Sequence, residues 1–461
     1  MVRPLICLLG ILLAAALSAC DKPASNEAKP PTESSTPEQA ETEETPRPLP
    51  SPTSEPAPSP SPSPTPPPEP TPEPVPEPVP NSYIPYKQME VAKLFNEIQL
   101  KTSVETTQGD IPSVERQDPN AFEIEIKIRL RIPEAASALD ELAAVNPELP
   151  QILPGLDTMM EEASVSGYYH QLYKNKSQFL HSRTHRLERI ISVHNYYDTQ
   201  TILELKSPDT GRRVLLIQAD MDVVTDGSDG DRYGEIEVIS SSFQPFTSYA
   251  WPKQTDQPNP FLEEWETKLQ ELEDEFAIKG LSIQRNRELR AGIEKYKRGV
   301  WSLKNRSFLI AETDPFVVLP GMMYRSGNNA EYQPSLGDYA AVIYKDTIYP
   351  AIVGDAGPSY KSGEASLRIC REIEPRSSGI RRAVSNLGVT YLVFPGTAEK
   401  PFGPPDLDHW QEKVETYLNE IGGYNATLRN WEDLTKPPPT PTPSPSPTPS
   451  PNASPTPESA A

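Results

Sequence analysis

The sequence has 461 residues, 65 acidic and 43 basic side chains, and a formal net charge of −22. This excess of negative charge argues against nucleic-acid binding and favours cationic partners. The 56 prolines point to long unfolded segments, and the 3 cysteines are too few for a fold built on disulfides.

The chain begins with the features of an export signal. Arg3 provides a positive charge, and the apolar run from Leu5 to Leu17 is shorter than a membrane span, which takes about 20 residues. The run ends in Leu17-Ser18-Ala19-Cys20, which resembles the lipobox of bacterial lipoproteins, where the cysteine is acylated. We therefore predict a signal peptide over 1–20 and lipidation at Cys20. An ordinary secretory signal is the alternative.

Two proline-rich tracts flank the rest of the chain. Residues 21–80 contain 22 prolines and almost no large apolar side chain, and residues 436–461 repeat this composition. Such segments bury too little surface to offset their conformational entropy. We predict a disordered, extended stalk over 21–80 and a disordered tail over 436–461.

The segment between the tracts has the composition of a folded protein, and we divide it at residue 205. In the first region, 81–205, helical spacing of apolar residues begins at Val91, and 168–193 favours a long helix. Apolar and charged residues alternate over 122–132, which predicts a strand with one buried face.

The second region, 206–435, carries many short apolar runs separated by glycine and proline. Its first element is a predicted hairpin that begins in the preceding region, and two helices form an insertion. The expected strands are 201–206, 213–219, 316–319, 340–344, 348–353 and 389–394, and the expected helices are 261–276, 283–300 and 365–373. We predict an α+β fold: a β-rich, barrel-like catalytic core with a helical insertion, preceded by a mixed α/β N-terminal region. The lone Cys370 is expected to be a small buried residue.

One pair of carboxylates has a spacing that suits hydrolysis. Asp355 is expected just past the end of a strand, and Glu364 at the start of a helix that Ser362 caps. Cleaving a glycosidic bond needs one carboxylic acid to protonate the leaving oxygen and one carboxylate to act on water or carbon. From the spacing alone, the better interpretation is a turn aspartate and a helix-start glutamate, which the helix dipole favours.

Several short motifs, in this order, resemble family 75 glycoside hydrolases, the fungal-type chitosanases that also occur in bacteria. They are Asp220-Met221-Asp222 with Asp226-Gly227, Pro315 to Pro320, Leu336-Gly337-Asp338, Ala341 to Tyr344, Gly354 to Pro358 with Gly363 to Ser366, and Val389 to Phe394. The resemblance covers about 205–400 and implies that Asp355 and Glu364 are catalytic and that the anomeric carbon is inverted. We assign Glu364 as the general acid and Asp355 as the base.

Other residues are candidates for substrate binding. The aspartates Asp220, Asp222 and Asp226 either end a strand in a turn or meet the ammonium groups of an amino-sugar polymer; their spacing does not fit a calcium loop. The remaining candidates are Asp338, Trp251 and Tyr360, of which the aromatic two would stack on sugar rings.

These features predict an exported, lipid-anchored, endo-acting enzyme that cleaves a chitosan-like polysaccharide. We expect no cofactor, no metal and no nucleic-acid partner, a membrane partner through the lipid, and a monomer. Two alternatives are a catalytically silent protein that binds a cationic glycan and a peptidoglycan hydrolase.

Overall fold

A computed structural model describes residues 106–123, 125, 127–185, 195–232, 236, 243–325 and 330–435. The predicted signal peptide, Cys20, the stalk, the helix around Val91 and the tail therefore lie outside the described residues. Within the described residues, no helix combines the length and the apolar composition needed to cross a bilayer.

A closed six-stranded barrel forms the centre of the protein. The strands are β1 (Ser164–Val165), β2 (Thr199–Lys206), β3 (Arg213–Val224), β4 (Ala250–Pro252), β5 (Arg306–Phe308), β6 (Phe316–Pro320), β7 (Tyr339–Tyr344), β8 (Thr347–Gly357), β9 (Glu364–Ser366), β10 (Val384–Val393) and β11 (Thr427–Leu428). The barrel runs β3–β10–β7–β8–β6–β9 and closes because β9 pairs with β3. The β6–β8 and β3–β9 pairs are parallel, and the other four pairs are antiparallel. The predicted barrel-like α+β core is confirmed.

The long strand β3 connects the N-terminal region to the barrel. It pairs with β2 through an antiparallel hairpin, whose turn contains Gly211 at φ +74°. Ala219 pairs with Thr199, the first residue of β2. Beyond Ala219, β3 pairs with β9 instead of β2. Consecutive residues such as Leu215 and Leu216 are fully buried because both faces of this strand are covered.

The helices lie around and between these strands. They are α1 (Pro112–Glu115), α2 (Leu139–Val145), α3 (Leu149–Ile152), α4 (Leu156–Met160), α5 (Gly167–His185), α6 (Leu262–Phe276), α7 (Ile283–Asn305), α8 (Leu367–Ile373) and α9 (Leu407–Glu420). Tyr168, Leu172 and Tyr173 of α5 are fully buried and belong to the same apolar core as the barrel strands. The N-terminal region therefore packs on the barrel core.

The helical insertion forms the hairpin α6–α7, close to its predicted bounds. Trp265 of α6 packs against Leu303 and Phe308 in a small separate cluster. Gly299 permits this packing, since a Cβ there would lie 2.2 Å from the Trp265 ring.

Three sequence predictions differ from the structure. The strand over 122–132 is wrong: the residues described there form no strand, and Phe122 and Ile132 are 83% and 66% exposed. Alternating apolar and charged residues form a strand only where a neighbouring strand pairs with them, and no strand of the described residues pairs with this segment. The long helix predicted over 168–193 is not among these: it agrees with α5 as far as His185, and residues 186–193 lie outside the described residues. Glu364 lies on strand β9, and Ser366, not Ser362, is the N-cap residue of α8.

Candidate active site

Asp355 and Glu364 lie in one row across the barrel wall. Val318 of β6 pairs with Asp355 of β8 on one side and with Glu364 of β9 on the other, and Glu364 pairs in turn with Asp222 of β3. Directly paired residues project to the same face of a sheet. Neighbouring strands are about 4.8 Å apart, so the Cα atoms of Asp355 and Glu364 are about 10 Å apart. The two carboxyl groups therefore face the same side with one residue between them.

Asp355 is held by three hydrogen bonds to a single oxygen. Its Oδ1 accepts from the backbone N–H groups of Ser248 and Ala356, each at 2.8 Å, and from the Ser248 hydroxyl. Asp355 lies within β8, where the pairing register shifts between Val317 and Val318 of β6. Burial raises the pKa of Asp355, and the three donors oppose this shift.

Glu364 is nearly buried, with 7% of the residue exposed, and is paired with a cation. The Lys361 ammonium donates to its Oε1. Its Oε2 faces Gly357, where an added Cβ would lie 2.5 Å away. Burial raises the pKa of Glu364, and Lys361 opposes that shift. Glu364 therefore forms an ion pair that is largely removed from solvent.

A chain of ion pairs continues from Lys361 along the neighbouring strand β3. Lys361 Nζ lies 3.1 Å from Asp222 Oδ2, and Arg382 Nε lies 2.9 Å from Asp222 Oδ1. Arg382 also reaches Asp220, whose side chain is fully buried, at 2.8 Å. Burial raises the pKa of Asp220 well above its usual range. Asp220 and Asp222 therefore anchor cations, and Asp220 has no surface to offer a substrate.

Asp226 brings a further acidic group close to Asp355 and Glu364. It lies two residues beyond β3, half-buried, and its Oδ1 accepts from the Gln244 backbone N–H at 2.9 Å. Burial, and then the negative charges of Asp355 and Glu364, raise the pKa of Asp226 to about 7. Carboxyl groups with such shifted pKa values are typical of catalytic sites.

The family to which this site belongs follows from its sequence. A family model described as "Fungal chitosanase of glycosyl hydrolase group 75" matches residues 221–429. Residues 221–429 are a family 75 glycoside hydrolase domain. Membership makes this part of the chain an enzyme domain and implies the hydrolysis of chitosan. No curated protein matches the chain significantly.

Two predicted substrate-binding residues of the family 75 domain have structural contacts instead. Asp338 is fully buried and accepts hydrogen bonds from the backbone N–H groups of Ser335, Thr397 and Ala398 at 2.6–2.9 Å, which ties two loops together. Trp251 is only 2% exposed. The prediction that Asp338 and Trp251 bind substrate is therefore wrong, because neither side chain reaches a surface where a sugar could bind.

Tyr360 is half-buried and stacks on Phe179 of α5, with ring centroids 3.8 Å apart. One face of its ring is therefore occupied by the protein. This contact joins the N-terminal region to the segment between Asp355 and Glu364. The family 75 match begins at residue 221, so Phe179 lies outside it.

Two residues of the site, Ser248 and Lys361, were not predicted from the sequence. Ser248 lies 107 residues before Asp355, within a segment that has no periodic pattern, so no sequence signal identifies it. Lys361 does carry a signal: it lies three residues before Glu364, between two expected catalytic groups. A basic residue at that place is a natural partner for one of them.

Proposed function

We propose that this protein is a membrane-tethered, endo-acting glycoside hydrolase that cleaves β-1,4 bonds of a glucosamine-containing polysaccharide with inversion. The observation that carries the proposal is the row in which Asp355 and Glu364 flank Val318, inside a family 75 domain. The two carboxyl groups project to the same side of the sheet. A catalytically silent protein would not need this arrangement.

The spacing of the row supports inversion. An inverting enzyme needs its two carboxyl groups about 6.5–9.5 Å apart, so that a water molecule fits between the sugar and the base. A Cα separation of about 10 Å leaves that room. One carboxyl group protonates the glycosidic oxygen while the other removes a proton from the attacking water.

The charge of the site supports an amino-sugar substrate. Asp222, Asp226, Asp355 and Glu364 bring four carboxyl groups to the site, and these outnumber its two cations, Lys361 and Arg382. Residues 81–435 as a whole carry a formal net charge of −15. Both features favour the approach of a chain that bears ammonium groups.

The tether rests on the N-terminal sequence. Acylation of Cys20 would anchor the protein, since each buried methylene contributes about 0.8 kcal/mol. The proline-rich composition of 21–80 favours an extended spacer of about 3.1 Å per residue. The catalytic domain would then reach polysaccharide at a distance from the membrane.

The direct test compares substrates. The full chain is incubated with chitosan, chitin and peptidoglycan, and the products are sized and their anomers followed by proton NMR at early times. We expect oligomers from chitosan with initial α-anomers. Cleavage of peptidoglycan alone would replace the proposed substrate, binding without cleavage would establish a silent glycan-binding protein, and initial β-anomers would rule out inversion.

A further inference from the structure

We propose that Lys361 is a positioning residue that determines which of the two carboxyl groups acts as the base and which as the acid. It holds Glu364 as the carboxylate that activates water and leaves the transferable proton on Asp355. This assignment rests on the proposed function and reverses the roles assigned from the sequence.

Glu364 contacts a cation in a largely buried site. Lys361 donates to Glu364 Oε1 in a site where the two side chains are only 8% and 20% exposed. A proton on Glu364 would remove the negative charge from this pair while the ammonium remained. Because ion pairs strengthen as water is excluded, this arrangement favours the charged form of Glu364.

Asp355 accepts hydrogen bonds but has no cation as a partner among the described residues. Its three donors all act on Oδ1, and within the described residues Asp355 forms no ion pair. Oδ1 remains an acceptor when Oδ2 carries a proton, so the hydrogen bonds survive protonation. Burial without a cation favours the neutral form of this carboxyl group.

The reaction then balances as follows. Asp355 Oδ2–H gives its proton to the glycosidic oxygen as the bond to the anomeric carbon breaks. Water forms the new bond to that carbon and gives a proton to Glu364. Exchange with solvent returns Glu364 to the carboxylate and Asp355 to the acid.

Helix α5 places Lys361. The Asn175 side-chain amide donates to the Ser359 carbonyl at 2.8 Å, and Phe179 stacks on Tyr360. Both contacts fix the segment that leads into Lys361. The N-terminal region, which the family 75 match does not include, thus supports the cation that faces Glu364.

Other groups also influence the charge of Glu364. Asp222 and Asp355 raise its pKa, while Lys361 lowers it. Further groups whose titration is linked to it are Asp226, Tyr360 and Tyr391. Removing Lys361 and removing Asp222 should therefore move the pKa of Glu364 in opposite directions.

The test is the pH dependence of kcat/KM on chitosan oligomers for the full chain and three variants. The acidic limb of this profile reports the base, and the alkaline limb reports the acid. In Lys361→Met we expect the acidic limb to move up by about 1–3 pH units. In Lys361→Arg, which keeps the cation, it should stay near the wild-type position. In Asp222→Asn it should move to lower pH, which provides a test even if Lys361→Met folds poorly.

Movement of the alkaline limb instead would make Glu364 the proton donor and overturn the proposal, as would unchanged limbs in both Lys361→Met and Asp222→Asn. A second measurement does not depend on activity: the ¹³C titration of the Glu364 carboxyl, assigned with Glu364→Gln. An equal midpoint in wild type and Lys361→Met would overturn the role of Lys361 even if chitosan is cleaved. Failure of the wild type to cleave chitosan would overturn the proposed function, and with it the base.

Discussion

Gly357 offers a sharp test of the site because its missing side chain leaves room for Glu364. It ends β8, two residues after Asp355, and its backbone does not lie in the left-handed region. Alanine can therefore adopt this conformation without strain. A Cβ there would lie 2.5 Å from Glu364 Oε2 and 3.1 Å from Val318 Cγ1. The first distance is below van der Waals contact, so the carboxyl group must move by about 1 Å.

The expected effect of Gly357→Ala falls on activity more than on folding. The group that moves is the end of a side chain, which can shift at little cost in stability. A misplacement of about 1 Å at a catalytic group can lower the rate about 100-fold, or about 2.7 kcal/mol of transition-state stabilisation. We expect kcat/KM on chitosan oligomers to fall by about that factor and the melting temperature to change little.

Gly403→Ala is the matched control. Among the residues that the structure describes, none has an atom within 4 Å of a Cβ at Gly403, and the φ of Gly403 is also outside the left-handed region. This variant should keep wild-type activity and stability. Wild-type activity in a folded Gly357→Ala protein would show that Glu364 Oε2 does not need its position in this structure, and the reasoning about the row would fail.

Three further predictions follow from the site and from the N-terminus. Glu364→Gln and Asp355→Asn should each lower kcat by about 10²- to 10⁴-fold, and a folded, fully active variant would remove that residue from the mechanism. Asp226, with a pKa of about 7 when folded and about 4 when unfolded, binds more protons in the folded state between these values, so it lowers the free energy of unfolding as pH rises from 4 to 7. Asp226→Asn should thus gain melting temperature relative to wild type across that range, and a pH-independent difference would contradict the shift. Cys20→Ala should release the protein from membranes on fractionation, and a variant that stays membrane-bound at native yield would contradict the lipid anchor.

Local sequence patterns predicted the elements of the barrel better than their partners. The apolar runs that became β6, β7, β8 and β10 are bounded by glycine and proline, and their ends fall within a few residues of the predicted ones except at the first residues of β10 and the last of β8. Such runs report burial and chain reversal, which are local properties. The alternation over 122–132 is as regular, yet the described residues of this segment form no strand, because strand pairing depends on a partner that periodicity does not describe.

The expected catalytic pair was predicted from its spacing and motifs, but its environment was decided by the tertiary structure. Register alone places Val318 between Asp355 and Glu364, and a shift of one residue would turn either carboxyl group to the other face. Ser248 reaches Asp355 from 107 residues away, and burial removes Trp251 from any sugar-binding surface. The sequence by itself determined the composition of the tracts, the order of the strands along the chain and the nature of the reacting groups. The pairing of each carboxylate with a cation, and its exposure to water, are established only when distant segments pack together. Both are tertiary properties because the charge state of a carboxyl group depends on everything within a few ångströms of it.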